Sequence, residues 1–188
     1  MDDTLRAALA AAEELEKLGV RWFLGGSLAS SIHGIPRATL DADIMADIRP
    51  QHVQPFLQAL GDAWYADEGA IADAMCHRSS FNLIHLDTAM KVDVFLPKLR
   101  SFDAGEFARS QRIALEGVTF NVRICCAEDI VIAKLEWYRL GGEASERQWG
   151  DIIGVLRLNS GKLDIDLLRS SAAELGVEDL LLQALAAC

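Results

Sequence analysis

The length, composition and charge of the chain are those of a globular protein of one domain. It has 188 residues, of which 51% are hydrophobic and 24% charged, and its formal net charge is −10 at pH 7. This composition excludes a disordered chain, and the negative charge opposes stable binding to nucleic acid. No apolar run approaches the roughly 18 residues of a membrane span, and the acidic start lacks the basic region of a secretory signal. We therefore expect a cytoplasmic protein with no membrane partner.

Helices and strands alternate in the pattern of the first half of the chain. Hydrophobic residues recur at helical spacing over residues 5–18, and a short apolar run over residues 20–24 predicts a strand. Gly25-Gly26 ends that strand, and Ser27 is suited to cap the next helix. The further predicted elements are a helix over 28–33, a strand over 39–47, a helix over 50–60 and two strands over 81–86 and 91–96.

The second half of the chain is predicted to become entirely helical. A hairpin around Glu116-Gly117 precedes a helix over residues 127–140, and residues 145–148 have the S-x-x-Q form of a capping box. Two more apolar stripes at helical spacing cover residues 163–175 and 177–187. The fold class we expect is α+β (α/β), with a small mixed, mainly antiparallel sheet and packed helices. The expected division is a core over residues 1–125 and a helical extension over 126–188, forming one cooperative unit.

The cysteines show no pattern of a zinc or disulfide site. None of the four is spaced as C-x-x-C, and the histidines are scattered. We interpret all four cysteines as reduced thiols. The adjacent pair Cys125-Cys126 is interpreted as a strand-to-helix junction rather than a redox pair.

Three aspartates carry the most informative pattern. On a strand, side chains two residues apart point to the same face, so Asp41 and Asp43 project together. Asp93 stands alone in the apolar run 91–95, where a buried carboxylate is costly without a partner or a metal. If the two strands are neighbours, the three carboxylates converge on a set of oxygen ligands that suits Mg²⁺. Two such ions would support an in-line displacement at a phosphate, with Asp93 as the general base.

A glycine turn precedes these aspartates. Gly25 and Gly26 remove side-chain bulk, so that a phosphate group can approach the backbone. Ser27 and the amides at the start of the following helix offer donors to a triphosphate. Each piece also has a structural explanation, because D-x-D pairs occur on solvated strand edges and glycines occur in ordinary turns. Their joint order favours a catalytic site.

These residues resemble a known family. G-G-S followed by H-G-x-x-R-x-T-x-D-x-D is similar to the N-terminal signature of the DNA polymerase beta-like nucleotidyltransferase superfamily. Within it, the pattern is most similar to AbiEii-type nucleotidyltransferases, the toxins of certain bacterial toxin–antitoxin and phage-defence systems. The resemblance covers residues 20–97 well and residues 127–158 more loosely. It implies the nucleotidyltransferase fold, an NTP substrate, and Mg²⁺ with Mn²⁺ as an alternative, and it leaves open a cognate antitoxin as a partner.

The resemblance also implies roles for individual residues. Gly26 and Ser27 would contact the nucleotide phosphates, and a later helical lysine and aspartate match Lys134 and Asp151. The metal-binding carboxylates would be Asp41, Asp43 and Asp93. Arg37 either braces its loop or contacts phosphate.

Spacing gives Lys134 independent support. Its helical neighbours three and four residues away are apolar, so its ammonium either neutralises phosphate or snorkels out to solvent. An ordinary helical ion pair with Arg147 is the alternative for Asp151. His33 is interpreted as a helix-end residue. We interpret the four tryptophans as core residues rather than nucleobase platforms: Trp22, Trp64, Trp137 and Trp149.

The function hypothesis is a Mg²⁺-dependent transfer of a nucleoside monophosphate from an NTP to a hydroxyl acceptor, with release of pyrophosphate. RNA, protein and small molecules are all open as acceptors, as is a role as a toxin. The alternatives are an antibiotic-modifying nucleotidyltransferase and a non-catalytic binding module of the same fold.

Overall fold

A mixed sheet of seven strands runs through the computed structural model, which describes residues 3–188. In chain order the strands are β1 (Trp22–Leu24), β2 (Asp41–Ala46), β3 (Trp64–Ala66), β4 (Ser80–His85), β5 (Met90–Phe95), β6 (Gln111–Ile113) and β7 (Val122–Ile124). Their order across the sheet is β3-β4-β5-β2-β1-β7-β6. The pairs β2–β5 and β1–β7 are parallel and the other neighbours are antiparallel. The predicted mixed, mainly antiparallel sheet of an α+β protein is confirmed.

Helices cover both faces of this sheet. Within residues 3–188 they are α1 (Asp3–Lys17), α2 (Gly26–His33), α3 (Pro50–Leu60), α4 (Glu68–His77), α5 (Ser101–Arg109), α6 (Ala127–Leu140), α7 (Glu146–Leu158), α8 (Ile165–Leu175) and α9 (Glu178–Ala186), with a 3-10 turn at Gly61–Ala63. The last four follow one another without a strand, which confirms the predicted helical C-terminal part. None of the described helices is long and apolar enough to cross a membrane.

Three elements were not predicted from the sequence: β3, α4 and α5. Helix α5 begins where the Arg100 side chain pairs with Asp103, and it buries two acidic residues, Asp103 and Glu106. Buried acids interrupt the apolar stripe by which a helix is recognised in a sequence. Helix α4 buries only Ile71 and Ala74, so its stripe is too narrow to stand out.

The two predicted helix caps differ from expectation. Helix α2 begins two residues early, at Gly26, with Gly25 as its N-cap, so Ser27 lies inside the first turn and caps nothing. At α7 the Ser145 hydroxyl accepts a hydrogen bond from the Gln148 amide at 3.3 Å, as a capping box requires. The reciprocal bond, from the Ser145 amide to the Gln148 side-chain oxygen, is not formed. That oxygen is buried and has no hydrogen-bond partner among residues 3–188.

Side chains alternate between the two faces of the sheet along each strand, so the buried residues form two hydrophobic clusters. Trp22 and Leu24 of β1 pack in the cluster that lies against α1 and α3. Phe23, between them, packs in the second cluster with Ile130 of α6 and Val155 of α7. The second cluster thus joins the sheet to the C-terminal helices, across the predicted boundary at residue 125. A single cooperative unit remains a prediction that this shared cluster supports.

Candidate active site

The acidic residues form a row on two neighbouring strands. Strands β2 and β5 are parallel and in register, so residues opposite each other share a face of the sheet. The pairs along this face are Asp41 with Lys91, Asp43 with Asp93 and Met45 with Phe95. The structure therefore brings the three predicted carboxylates to one face, although their function remains a prediction.

Asp43 is held against the glycine turn. The Gly25 amide donates to the Asp43 carbonyl oxygen at 2.9 Å, and the Ser27 amide donates to the Asp43 carboxylate. Burial and the negative charge of Asp93 raise the pKa of the Asp43 carboxyl, while Lys134 and the Ser27 amide oppose that rise. An ionised Asp43 is therefore a group that a nearby cation would stabilise.

Two features of the structure favour glycine at position 26. Its φ of +50° lies in the left-handed region that side chains disfavour. In addition, a Cβ at this position would overlap with the Asp43 carboxylate. The turn and the carboxylate therefore pack together only because residue 26 has no side chain.

Gly26→Ala is expected to destabilise the protein more than a glycine substitution in open space. Gly176 is the matched control, since its φ is +67° and a Cβ there would meet nothing within 4 Å. Gly176→Ala carries only the backbone cost of about 1 kcal/mol, whereas Gly26→Ala adds about 1–3 kcal/mol from overlap. Urea unfolding of both variants measures the difference. Equal losses in the two variants would show that Asp43 does not pack against the turn.

Lys91 adds a cation to the acidic row that the sequence did not reveal. Its ammonium lies 2.9 Å from the Asp93 carboxylate and 3.6 Å from that of Asp41. The hydrogen bond with Asp93 raises the pKa of Lys91 above its usual value. A lysine in a strand is common, so only the register shows that this one lies between the two aspartates.

The carboxylates of the row are candidate ligands for a metal ion. Across residues 3–188, no three His, Cys, Asp or Glu side chains are already arranged to enclose an ion. Asp41, Asp43 and Asp93 nevertheless supply only carboxylate oxygens, the donors that Mg²⁺ prefers. The side chain of Lys91 is 41% exposed, so its ammonium is free to move away from Asp93. The donor set fits Mg²⁺ once that movement has occurred.

A group of cations lies beside the glycine turn. Arg37 donates from Nε and Nη2 to the two oxygens of Asp151, both at 2.8 Å, and from Nη2 to the Ser27 hydroxyl at 2.6 Å. Lys134 donates to the same carboxylate at 2.9 Å. Burial alone would raise the pKa of Asp151, but hydrogen bonds from Arg37 and Lys134 outweigh it and hold that pKa below its usual range. Asp151 therefore fixes both cations near Ser27.

The alternative interpretation of Asp151, a helical ion pair with Arg147, is wrong. Within residues 3–188 the ion-pair partners of Asp151 are Arg37 and Lys134, and Arg147 has none. Arg147 instead lines a cavity between the sheet and the C-terminal helices, so it presents a free positive charge there. The tertiary pairs replace the helical one because Asp151 faces α6 and the loop before β2.

A cavity of about 880 Å³ connects these groups between the sheet and the C-terminal helices. Its polar part is lined by Gly25, Gly26, Ser27, Arg37, Asp41, Asp43, Lys134 and Arg147. Its apolar part is lined by Phe23, Met45, Phe95, Ile130 and Trp137. Asp93 is not in this lining and is held by Lys91. The core interpretation is wrong for Trp137, which is 47% exposed, because its ring packs edge-on against Phe95 at the cavity wall.

The adjacent cysteines form the junction between β7 and α6. Both thiols are buried, and burial raises the pKa of Cys125 and of Cys126. The His33 ring lies 2.7 Å from the Cys125 carbonyl oxygen, at the end of α2. All four cysteines are free thiols, and these two act as packing residues.

Comparison with known proteins identifies the fold. No protein-family model and no curated protein matches the sequence. Among solved structures, the chain is similar to the antibiotic-resistance factor ANT(2'')-Ia, with a TM-score of 0.58 at 13% identity over 97% of each chain. It is also similar to an antigenic nucleotidyltransferase-like protein from Paracoccidioides brasiliensis, with a TM-score of 0.55 at 15% identity over 98% of this chain and 93% of that one. A third is the lincosamide antibiotic adenylyltransferase LnuA, with a TM-score of 0.50 at 17% identity over 84% of this chain and 98% of that one.

Identities this low show the fold and nothing finer. The similarity nevertheless spans nearly the whole of each chain, including the C-terminal helices. The fold implied by the glycine and aspartate motifs is therefore confirmed, and this chain has the fold of nucleotidyltransferases.

Proposed function

We propose that this protein transfers a nucleoside monophosphate from an NTP to a hydroxyl group of an acceptor. The observation that carries the proposal is the pairing of Asp43 with Asp93 in register, beside a glycine turn and in contact with a cavity that also holds Lys134. Lys91 offsets the charge of Asp93, but burial and the charge of Asp93 still make an ionised Asp43 costly in a scaffold that binds no further cation. This cost argues against a non-catalytic binding module.

The cationic side of the cavity supports binding of the triphosphate. Arg37 and Lys134 supply positive charge beside the start of α2, and the N-terminal end of a helix favours a phosphate group. Asp151 holds these two cations in place, whereas the Arg147 side chain is free to move toward the bound triphosphate. The family resemblance likewise singles out a helical lysine and a later aspartate at Lys134 and Asp151.

The acidic side supports the transfer step. Asp41, Asp43 and Asp93 would hold Mg²⁺, for which Mn²⁺ is an alternative, and the bound metal supplies Lewis-acid stabilisation of phosphate charge. Asp93 accepts the proton of the acceptor hydroxyl as general base. A bond then forms between that oxygen and the α-phosphorus, the bond from the α-phosphorus to the bridging oxygen breaks, and pyrophosphate leaves.

A small molecule is the acceptor that the cavity favours. A volume of about 880 Å³ lies near the upper end of the range for ligand sites and leaves room beside a nucleotide. The net charge of −10 opposes a polyanion such as RNA. Two similar solved structures are an antibiotic-resistance factor and an antibiotic adenylyltransferase, which supports an antibiotic-like acceptor.

The motif resemblance to AbiEii-type toxins favours a second candidate, with RNA or protein as acceptor and an antitoxin as partner. Expression in a bacterial host distinguishes the two. A toxin arrests growth and loses this effect with Asp43→Ala, whereas an antibiotic-modifying enzyme leaves growth intact and raises drug resistance.

The position of the label tests the reaction itself. We expect label at the α-phosphate of an NTP to appear on an acceptor from cell extract or an antibiotic panel, in a reaction that needs Mg²⁺. Label at the γ-phosphate should appear only in pyrophosphate. Transfer of the γ label would indicate a kinase. Binding of Mg²⁺-NTP by calorimetry without any transfer would indicate a binding module.

A further inference from the structure

Glu106 is a buried carboxyl that the proposed reaction does not use. It lies on α5, is 3% exposed, and lines the apolar part of the cavity. It also lines a second cavity of about 240 Å³, so it forms part of the wall between the two. A buried acid in such a place needs a partner to offset the loss of hydration.

Among the described residues, the two cations whose charges act on Glu106 are engaged by other carboxylates. Arg100 is engaged by Asp103 and Glu136, and Arg109 is engaged by Asp129. Within residues 3–188, the Glu106 carboxyl makes no hydrogen bond and no ion pair. The lack of a cationic partner sets its carboxyl apart from the other buried acids of this part of the chain, Asp103 and Asp129.

The groups that face Glu106 leave it short of positive charge. Burial, with the charges of Asp129 and Asp103, raises the pKa of Glu106 well above its usual value, while Arg100 and Arg109 lower it less. The Cys125 thiol also faces Glu106 and is itself protonated. Without a ligand, the protonated form of Glu106 is therefore favoured.

Aromatic side chains surround this end of the cavity. Phe23 and Phe95 both pair with Met45, which follows Asp43 by two residues on the same face of β2. The apolar end therefore begins roughly 7 Å along the strand from the acidic row. Phe23, Phe95 and Trp137 line the same cavity as Glu106. Aromatic rings and a carboxyl in one cavity suit an organic ammonium, because ring faces attract cations.

We propose that Glu106 binds the ammonium group of an amine-bearing acceptor, whose hydroxyl then lies toward Asp43 and Asp93. This inference rests on the proposed function in taking the apolar end as the acceptor end. The amine forms an ion pair with Glu106, and Glu106 releases its proton to solvent. Specificity for the amine follows because an alcohol of the same shape leaves the carboxyl without a cation.

Two small probes test the proposal without any nucleotide. Phenethylamine and phenethyl alcohol have nearly the same shape and differ in the charged group. Ligand-observed NMR titration of the wild-type protein should show the amine binding at least about tenfold more tightly, the range of one charge-assisted hydrogen bond. Glu106→Gln should abolish this preference and leave the affinity for the alcohol unchanged. Glu116→Gln removes one exposed carboxylate elsewhere and should preserve the preference, which controls for net charge.

A measurement on the wild-type protein keeps the test valid if Glu106→Gln does not fold. Near pH 5 the raised pKa keeps Glu106 protonated, so calorimetry in buffers of different ionisation enthalpy should detect proton release with the amine and none with the alcohol. Equal wild-type affinities for the two probes, or a preference retained in Glu106→Gln, would overturn the proposal. Failure of nucleotide transfer with an intact amine preference would instead overturn the proposed reaction alone.

Discussion

Asp43→Asn is expected to lower kcat/KM for nucleotide transfer by about 10³-fold, roughly 4 kcal/mol of transition-state stabilisation. The substitution keeps the shape of the side chain and removes the negative charge that is paired in register with Asp93. Initial rates of transfer from an NTP labelled at the α-phosphate measure the effect. The size of the loss follows from removing a carboxylate that would hold the metal.

The same substitution should not weaken the fold. The pKa of Asp43 is raised in the folded protein by burial and by Asp93, so its stabilising contribution is present below the unfolded pKa and is lost as pH rises through the folded pKa. At neutral pH the ionised side chain is therefore destabilising, and Asn should be at least as stable by urea unfolding. If Asp43→Asn loses activity and keeps its stability, Asp43 is a functional carboxylate.

Asp47→Asn is the matched control for this variant. Asp47 directly follows β2 and pairs with Arg21 at 2.8 Å, outside the cavity. Its substitution should leave the transfer rate close to that of the wild type. Equal rates for Asp43→Asn and the wild type would remove the proposed reaction.

Asp151→Ala is expected to destabilise the protein by about 3–5 kcal/mol, the cost of leaving a buried charge without its partner. The side chain of Lys134 is only 8% exposed, and its ammonium would lose the carboxylate 2.9 Å away. Arg37 would lose two hydrogen bonds in the same step. Urea unfolding near neutral pH measures the change. The affinity for Mg²⁺-NTP should also fall, because both cations would lose their fixed positions.

The stability that Asp151 contributes is expected to be lost at acid pH. The pKa of Asp151 is lowered in the folded protein, so its stabilisation is present above the unfolded pKa of about 3.9 and is lost as pH falls through the folded pKa. The acid-induced loss of stability should therefore be smaller in Asp151→Ala than in the wild type. A parallel loss in both proteins would contradict the role given to this carboxylate.

Asp179→Ala provides the control for a surface ion pair. Its carboxylate accepts hydrogen bonds from Arg139 at 2.6 and 2.7 Å, as close as the contacts of Asp151, but its side chain is 60% exposed. Solvent screens such a pair, so the urea midpoint should stay near that of the wild type. An equal drop in the two variants would show that burial is not the cause.

Local periodicity allowed the sequence alone to determine much of this protein. Alternation of side chains along a strand places Asp41 and Asp43 on one face whatever the rest of the fold does. The apolar stripes of the C-terminal part likewise predicted helices that the structure contains. The order of the glycine turn and D-x-D motif indicated the nucleotidyltransferase fold, which the solved structures confirm.

Contacts between residues distant in the chain were decided only by the tertiary structure. Arg37 and Asp151 are separated by 114 positions, and no local pattern predicts that they meet. The position of Lys91 opposite Asp41 follows from the parallel register of β2 and β5, which the alternation within one strand does not specify. Glu106 belongs to a helix whose buried acids concealed its apolar stripe. In each case the deciding quantity is burial or long-range pairing, which depends on how elements pack and not on the spacing of residues within one element.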